Sequence, residues 1–182
     1  MMPRVRYWDL AATLDGDWTA GVLIGRSVTG IFYVIDIIRG KWQPMHRNNV
    51  IRQAAASDGA ATWIFVEQEP GSGGKEAADL LVRDLAGYMA QPDRPTGDIV
   101  ARVGPLAAQA EAGNVRLVRG PWNEAFLREL HDFPDGAHDD QVSAAAGAFN
   151  KLALEIGTGQ VEMRALGGVS TNGTAKPVSV QL

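Results

Sequence analysis

Apolar residues alternate with polar ones or run unbroken along the first forty positions, which predicts three β-strands in succession. Val, Ile and aromatic residues dominate these runs, as they do in the strands of a sheet. Asp15-Gly16 separates the first two runs, and an Asp-Gly pair in that setting favours a hairpin turn. The predicted strands cover residues 4–14, 18–26 and 31–38. This part of the chain therefore predicts an antiparallel meander.

From residue 44 onward, longer segments with an apolar stripe alternate with short apolar runs. The longer segments predict helices over residues 44–57, 75–86, 98–112, 122–131 and 139–154. The short runs predict strands over residues 62–67, 88–91 and 115–118. Together with the meander, this order predicts an α/β fold with a mixed central sheet, antiparallel and parallel, flanked by helices. We expect one domain over residues 1–155 and a Gly/Ser/Thr-rich tail over residues 156–182.

The bulk composition limits where the protein works and what it binds. Its 182 residues include 46% hydrophobic and 21% charged residues, as in a globular domain. There is no cysteine, which excludes disulfides and thiolate metal sites. The sequence shows no secretory leader and no apolar run of about 20 residues, the length of a membrane span. We therefore expect a cytoplasmic protein without a membrane partner.

Acidic residues stand in two predicted strands and at the start of one predicted helix. Asp9 lies in the first strand, Glu67 ends the first strand after the meander, and Asp139-Asp140 opens the Ala-rich last helix. Open α/β sheets bind ligands at the carboxyl ends of their strands, and small residues let a helix lie close to a sheet. Each acid alone also fits a structural role, as a salt-bridged strand residue or a helix cap. Together they predict one carboxylate cluster, with Glu69 as a rival to Glu67.

A cluster of this kind suits metal-assisted cleavage of a phosphodiester bond. Two cations about 3.5–4 Å apart activate a water and stabilise the departing oxygen, and Mg²⁺ prefers oxygen ligands. Like charges placed together are costly without cations, so we predict two Mg²⁺ or Mn²⁺ ions. The predicted catalytic and metal-binding residues are Asp9, Glu67, Asp139 and Asp140, and the candidate auxiliary residues are His138 and Glu69. The sequence leaves open which aspartate of the pair is essential.

An ordered set of short motifs resembles the C-terminal nuclease domain of the phage large terminase subunit. The motifs are Tyr7-Trp8-Asp9-Leu10-Ala11, Val66-Glu67-Gln68-Glu69-Pro70-Gly71, Gly97-Asp98 with Arg102, Gly104-Pro105-Leu106-Ala107, and Phe133-Pro134 with His138-Asp139-Asp140-Gln141. The resemblance implies a ribonuclease H-like fold and a two-metal endonuclease that cleaves double-stranded phage DNA concatemers during genome packaging in the bacterial host cell. The partners it implies are double-stranded DNA, a packaging ATPase domain, a small terminase subunit and a portal.

Two positions depart from the pattern that the resemblance implies. Ile99 stands where relatives of this kind often carry a lysine, and Ser143 stands where they often carry an acid. Two other interpretations stay open. One is another ribonuclease H-like nuclease, of the resolvase or transposase type, and the other is a catalytically degenerate domain that only docks onto the packaging machine.

Basic side chains near these motifs are the predicted contacts to DNA. Because the net charge is −4, binding must rest on a few local cations, and contacts to phosphates carry no sequence information. We predict weak, salt-sensitive and sequence-independent binding by the chain alone. The predicted contact residues are Lys75, Arg102, Arg47 and Lys41.

Overall fold

A computed structural model describes residues 2–11, 18–68 and 71–156 of the chain. These residues form a six-stranded sheet with the strand order β5-β4-β1-β2-β3-β6. The strands are β1 Arg4–Asp9, β2 Thr19–Arg26, β3 Phe32–Gly40, β4 Trp63–Glu67, β5 Met89–Asp93 and β6 Val115–Leu117. The β1–β2–β3 meander is antiparallel, whereas β4 pairs with β1, β5 with β4 and β6 with β3 in parallel. This mixed sheet confirms the predicted fold class.

Helices cover both faces of the sheet. Within the described ranges they are α1 Pro44–Asp58, α2 Ser72–Asp84, α3 Ile99–Glu111, α4 Asn123–Asp132 and α5 Asp140–Asn150, followed by a π-helical turn Lys151–Ile156. Helices α1 and α2 share one hydrophobic core with Trp8 and Ile64. Helices α3, α4 and α5 contribute to a second core with Tyr7 and Val22, on the opposite face. The sheet is thus the middle of three layers.

Several element boundaries differ from the prediction, among them those of β1, α2 and β5. Strand β1 ends at Asp9 rather than at residue 14. Helix α2 begins at Ser72 rather than at residue 75, so its first turn includes Gly73 and Gly74 despite the low helix propensity of glycine. Strand β5 continues to Asp93, two residues past its predicted end and through Pro92. It is an edge strand, and edge strands tolerate proline because one row of their N–H groups needs no partner strand.

Alternation along β1 decides which face receives each side chain. Val5 and Tyr7 belong to the core beneath α5, whereas Trp8 belongs to the core beneath α1 and α2. Successive side chains of a strand point to opposite faces. Asp9, two residues after Tyr7, therefore points to the α5 face.

Helix α5 lies close against β1 because small residues face the sheet. Ala144, Ala145 and Ala148 are buried in the shared core. A Cβ atom at Gly147 would lie 2.6 Å from Cε1 of Tyr7, nearer than real Cβ contacts come. The small residues of the last predicted helix thus permit the close docking that the sequence predicts.

Some sequence predictions fall outside the residues that the structure describes. They concern the Asp15-Gly16 turn, Glu69 and the tail from residue 157 onward. In the part that is described, no helix combines the length and the apolar character that crossing a membrane demands.

Candidate active site

The carboxyl ends of three neighbouring strands carry acidic residues. Strands β5, β4 and β1 are adjacent and parallel, so their last residues, Asp93, Glu67 and Asp9, lie along one edge of the sheet. Glu67 is two residues after Phe65, which belongs to the core beneath α5, and it therefore points to the same face as Asp9. The two strand acids that the sequence singles out are neighbours in the fold.

The two aspartates at the start of α5 have different environments. Asp140, the first residue of the helix, is 5% exposed. Its Oδ1 accepts a hydrogen bond from the backbone N of Trp18 at 3.1 Å, and its charge acts on Asp9. Asp139 precedes the helix, is exposed, and makes no capping hydrogen bond with its side chain. Of this pair, Asp140 is the buried residue that interacts with a strand acid.

The carboxylate of Glu129, in α4, caps the start of α5. Its Oε1 accepts hydrogen bonds from the backbone N of Gln141 at 2.6 Å and of Val142 at 3.1 Å. The side-chain amide of Gln141 donates to its Oε2. The first N–H groups of a helix have no partner within the helix, so this buried acceptor satisfies two of them. Glu129 therefore fixes the start of α5, and Asp140 with it.

Burial and negative neighbours raise the pKa of Asp9 well above its usual range. Burial is the largest cause, and the charge of Glu67 comes next. A hydrogen bond from Ser143 acts in the opposite direction, the charge of Asp140 raises the pKa further, and the charge of Arg102 lowers it. Strongly perturbed acids of this kind concentrate at functional sites.

Burial also raises the pKa of Glu67, against the charge of Arg102 and a hydrogen bond from Tyr7. The Tyr7 hydroxyl lies 3.3 Å from Oε2 of Glu67 and 2.8 Å from Oδ2 of Asp93. A phenol has one proton to donate, so it serves one carboxylate at a time, and the shorter distance favours Asp93. Burial and the neighbouring acids raise the pKa of Tyr7, which keeps it a neutral donor.

Arg102 places a positive charge beside Glu67 and near Asp9. Its Nη1 is 3.6 Å from Oε2 of Glu67, and its Nη2 is 3.5 Å from Oγ of Ser143. Its side chain is 18% exposed, because α3 packs against α5. The sequence predicts Arg102 as a DNA contact, but its closest charged neighbour in the structure is Glu67. It offsets part of the negative charge of the cluster.

The chemistry of this donor set fits hard divalent cations. Asp9, Glu67 and Asp140 offer carboxylate oxygens, which Mg²⁺ and Mn²⁺ prefer, and a cation would relieve the repulsion between Asp9 and its two acidic neighbours. In the part of the chain that the structure describes, however, no three His, Asp or Glu side chains are already gathered as a metal-binding group. The acids are therefore suited to cations without forming a closed coordination site.

The other predicted site residues lie at differing positions. Nδ1 of His138 is 3.7 Å from Oδ2 of Asp140, on a side chain that is 41% exposed. Lys41 lies over the ring of Trp18, 5.2 Å from its centre. Lys75 and Arg47 belong to α2 and α1, which pack on the other face of the sheet. The structure thus brings His138 to the cluster and leaves Lys75 and Arg47 on helices of the opposite face.

The sequence analysis missed Asp93 and its partner Lys151. Nζ of Lys151 lies 2.6 Å from Oδ1 of Asp93, beside the hydrogen bond from Tyr7. The signal was present, because Asp93 follows a predicted strand just as Glu67 ends one. Pro92 obscured it, since proline normally ends a strand that is not at an edge.

Comparison with known proteins agrees with this geometry. The family model described as Terminase RNaseH-like domain matches residues 6–152, which includes Asp9, Glu67 and Asp140. The chain belongs to this family. No curated protein matches the sequence of this terminase-family domain.

Solved structures share the fold of the terminase-family domain at low sequence identity. The large terminase nuclease from thermophilic phage G20c has a TM-score of 0.59 and 15% identity, over 82% of this chain and 82% of that one. The yeast mitochondrial Holliday junction resolvase has a TM-score of 0.51 and 10% identity, over 87% of this chain and 83% of that one. These similarities show the ribonuclease H-like fold, and the family supports a nuclease built on it.

Proposed function

We propose that this terminase-family domain is a divalent-metal-dependent endonuclease that cleaves double-stranded phage DNA concatemers during genome packaging. The observation that carries the proposal is that adjacent parallel strands end in Asp9 and Glu67 on one face of the sheet, and that the start of α5 adds the buried Asp140, whose charge acts on Asp9. Such a cluster is costly without cations. Cleavage of a phosphodiester bond with two cations requires a cluster of this kind.

In this proposal, Asp9, Glu67 and Asp140 hold two Mg²⁺ or Mn²⁺ ions, with Asp139 as a further ligand. When bound, the ions supply activation of the attacking water and stabilisation of the leaving oxygen. The chain itself orients the ligands. Ser143 donates a hydrogen bond to Asp9, and Glu129 holds the start of α5.

The packaging role is supported by the family. A packaging ATPase domain, a small terminase subunit and a portal are the proposed partners, in the cytoplasm of the bacterial host cell. A domain with a net charge of −4 has no overall attraction for DNA. A motor that holds the DNA would make high affinity in the nuclease unnecessary.

A second candidate function is a docking domain that has lost catalysis. Two positions favour it. Ser143 stands where relatives of this kind often carry an acid, and Arg102 places a fixed positive charge 3.6 Å from Glu67. A domain of this type would bind a packaging partner and would not need divalent cations at all.

Cleavage of supercoiled plasmid with Mn²⁺ or Mg²⁺, and with an EDTA control, tests the proposal. We expect metal-dependent nicking and linearisation by the wild-type protein and complete loss of both in Asp9→Asn and Glu67→Gln. Asp84→Asn and Glu124→Gln are matched controls, because both residues are exposed acids outside the cluster. They should cleave like the wild type.

The outcomes separate the candidate functions. Wild-type nicking by Asp9→Asn at matched metal concentration would contradict the assigned site. A strong preference for four-way junctions over linear duplex would point to a resolvase-type substrate. No cleavage, together with no change in melting temperature on adding Mn²⁺, would favour the docking domain.

A further inference from the structure

A cavity of about 230 Å³ lies beside the acid cluster. The segment after β5, helix α3 and the end of α5 contribute to its lining. Its polar lining includes Tyr7, Arg94, Thr96, Arg102, Asn150 and Lys151. Ligand pockets for whole small molecules are roughly 300–1,000 Å³, so this cavity suits one compact group rather than a nucleoside.

The charge of the lining is positive on a protein whose net charge is −4. Three cations, Arg94, Arg102 and Lys151, face the cavity, and Asp93 is the acid among the described lining residues. Lys151 is held in place by its 2.6 Å contact with Asp93. Arg94 lies at the exposed rim. The cavity therefore concentrates positive charge where a passing polyanion could reach it.

A buried donor of Arg102 points to a missing acceptor. Within the described part of the chain, its Nε is buried without a hydrogen-bond partner, whereas its Nη1 is ion-paired with Glu67 at 3.6 Å. A buried donor left without an acceptor costs about 1–3 kcal/mol, and the guanidinium fork matches the oxygens of a phosphate group. Its neighbour Asn150 donates to the backbone O of Arg102 at 3.0 Å, which fixes the backbone of α3 at the cavity.

We propose that this cavity, the Arg94 pocket, binds a non-scissile phosphodiester group of the DNA strand and so holds the strand beside the acids. The inference rests on the proposed function, because it takes DNA as the substrate. It goes beyond the DNA contacts expected from the sequence, since Arg94, Thr96 and Lys151 are not among them. Arg102 joins the two regions, because it faces both the pocket and Glu67.

Binding of a fluorescent short duplex in EDTA, across a range of salt concentrations, tests the pocket without requiring catalysis. We expect Arg94→Ala to weaken binding about five- to tenfold at low salt and to lower the salt slope by about one. Arg94→Lys should recover part of the affinity, since it keeps the charge. Arg83→Ala is the matched control, because Arg83 is an exposed arginine on α2 at the other face, and it should bind like the wild type.

Several results would overturn the proposal. One is that Arg94→Ala binds duplex with the affinity and salt slope of the wild type. Another is that Arg83→Ala loses as much duplex affinity as Arg94→Ala, and a third is that the wild type shows no saturable binding at low salt. A second arm adds inorganic phosphate to the metal-free protein. If phosphate raises the melting temperature of the wild type but not of Arg94→Ala, while both bind duplex equally, the pocket takes free phosphate and not the DNA strand.

The same design separates this inference from the proposed function. If Arg94→Ala loses duplex affinity while the wild type does not cleave plasmid, the pocket is supported and the nuclease function is contradicted. If the wild type shows metal-dependent cleavage while Arg94→Ala binds duplex as the wild type does, the nuclease function is supported and the pocket is contradicted.

Discussion

Nη1 of Arg102 lies 3.6 Å from Oε2 of Glu67, and Nη2 of the same guanidinium approaches the hydroxyl of Ser143. That hydroxyl in turn donates a hydrogen bond to Asp9. The domain therefore carries a fixed positive charge beside two of the acids proposed to bind cations. Arg102 and a divalent cation would relieve the same repulsion, which makes their effects on stability interdependent.

Removing Arg102 should make the protein depend more strongly on divalent cations. Because the Arg102–Glu67 pair is mostly buried, we expect metal-free Arg102→Gln to lose about 2 kcal/mol of unfolding free energy. Mn²⁺ should then raise its melting temperature by more than it raises that of the wild type, since the acids have more repulsion to lose. Calorimetry with and without Mn²⁺ measures both effects.

Arg128→Gln is the control for the comparison of Arg102→Gln with the wild type. Its i,i+4 pair with Glu124 is exposed, and such pairs contribute at most about 0.5 kcal/mol. An equal or smaller response to Mn²⁺ in Arg102→Gln than in the wild type would show that Arg102 and the cation do not act on the same acids.

The metal-free protein should also become less stable, relative to Asp9→Asn, as the pH rises. In the folded state the pKa values of Asp9 and Glu67 are raised, so the folded state binds more protons than the unfolded one above the ordinary values of about 4. The unfolding free energy contributed by these groups therefore falls as the pH rises from about 4 through the raised values. Asp9→Asn removes the contribution of Asp9 to this loss of stability. The unfolding free energy of Asp9→Asn, relative to that of the wild type, should therefore grow as the pH rises.

Melting temperatures in EDTA, measured from mildly acidic to mildly alkaline pH, test this dependence. Asp84→Asn serves as the exposed control and should follow the wild type at every pH. A constant difference between Asp9→Asn and the wild type would mean that the pKa of Asp9 is not raised in the folded protein.

The two aspartates at the start of α5 should differ in their effect on cleavage. Asp140 is buried and accepts a hydrogen bond from the backbone N of Trp18, whereas Asp139 is exposed. Asp140→Asn should lower the rate of plasmid cleavage by at least about a hundredfold, comparable to loss of one transition-state contact. Asp139→Asn should lower the rate by much less, because the exposed Asp139 is only a further ligand in the proposal. The reverse order in a time course of nicking would make Asp139 the principal ligand of the pair.

Glu129 should matter to stability although it lies outside the acid cluster. Glu129→Ala leaves the N–H groups of Gln141 and Val142 without their buried acceptor, which costs about 1–3 kcal/mol. Glu129→Gln keeps an acceptor and should lose less. Chemical unfolding of both variants, beside the exposed Glu124→Ala on the same helix, measures the difference. Equal losses in Glu129→Ala and Glu124→Ala would contradict the capping role.

The sequence by itself determined the order of the elements and the two strand acids. Period-two and helical patterns are local, so they predict β1, β4 and α5 without knowledge of their neighbours. Asp9 and Glu67 stand in runs that read as strands, and parallel strands bring their carboxyl ends to one edge. Small residues in α5 also indicated close docking, which Gly147 beside Tyr7 illustrates.

Only the tertiary structure decided which other side chains lie beside Asp9 and Glu67. Arg102 reaches Glu67 because α3 packs on α5, and Glu129 caps α5 from a different helix. Asp140 rather than Asp139 is buried because of how α5 is turned toward β1. Asp93 lies beside Glu67 because the edge strand continues through Pro92. These relationships join residues that are far apart in the chain, and local periodicity carries no information about which distant residues will face one another.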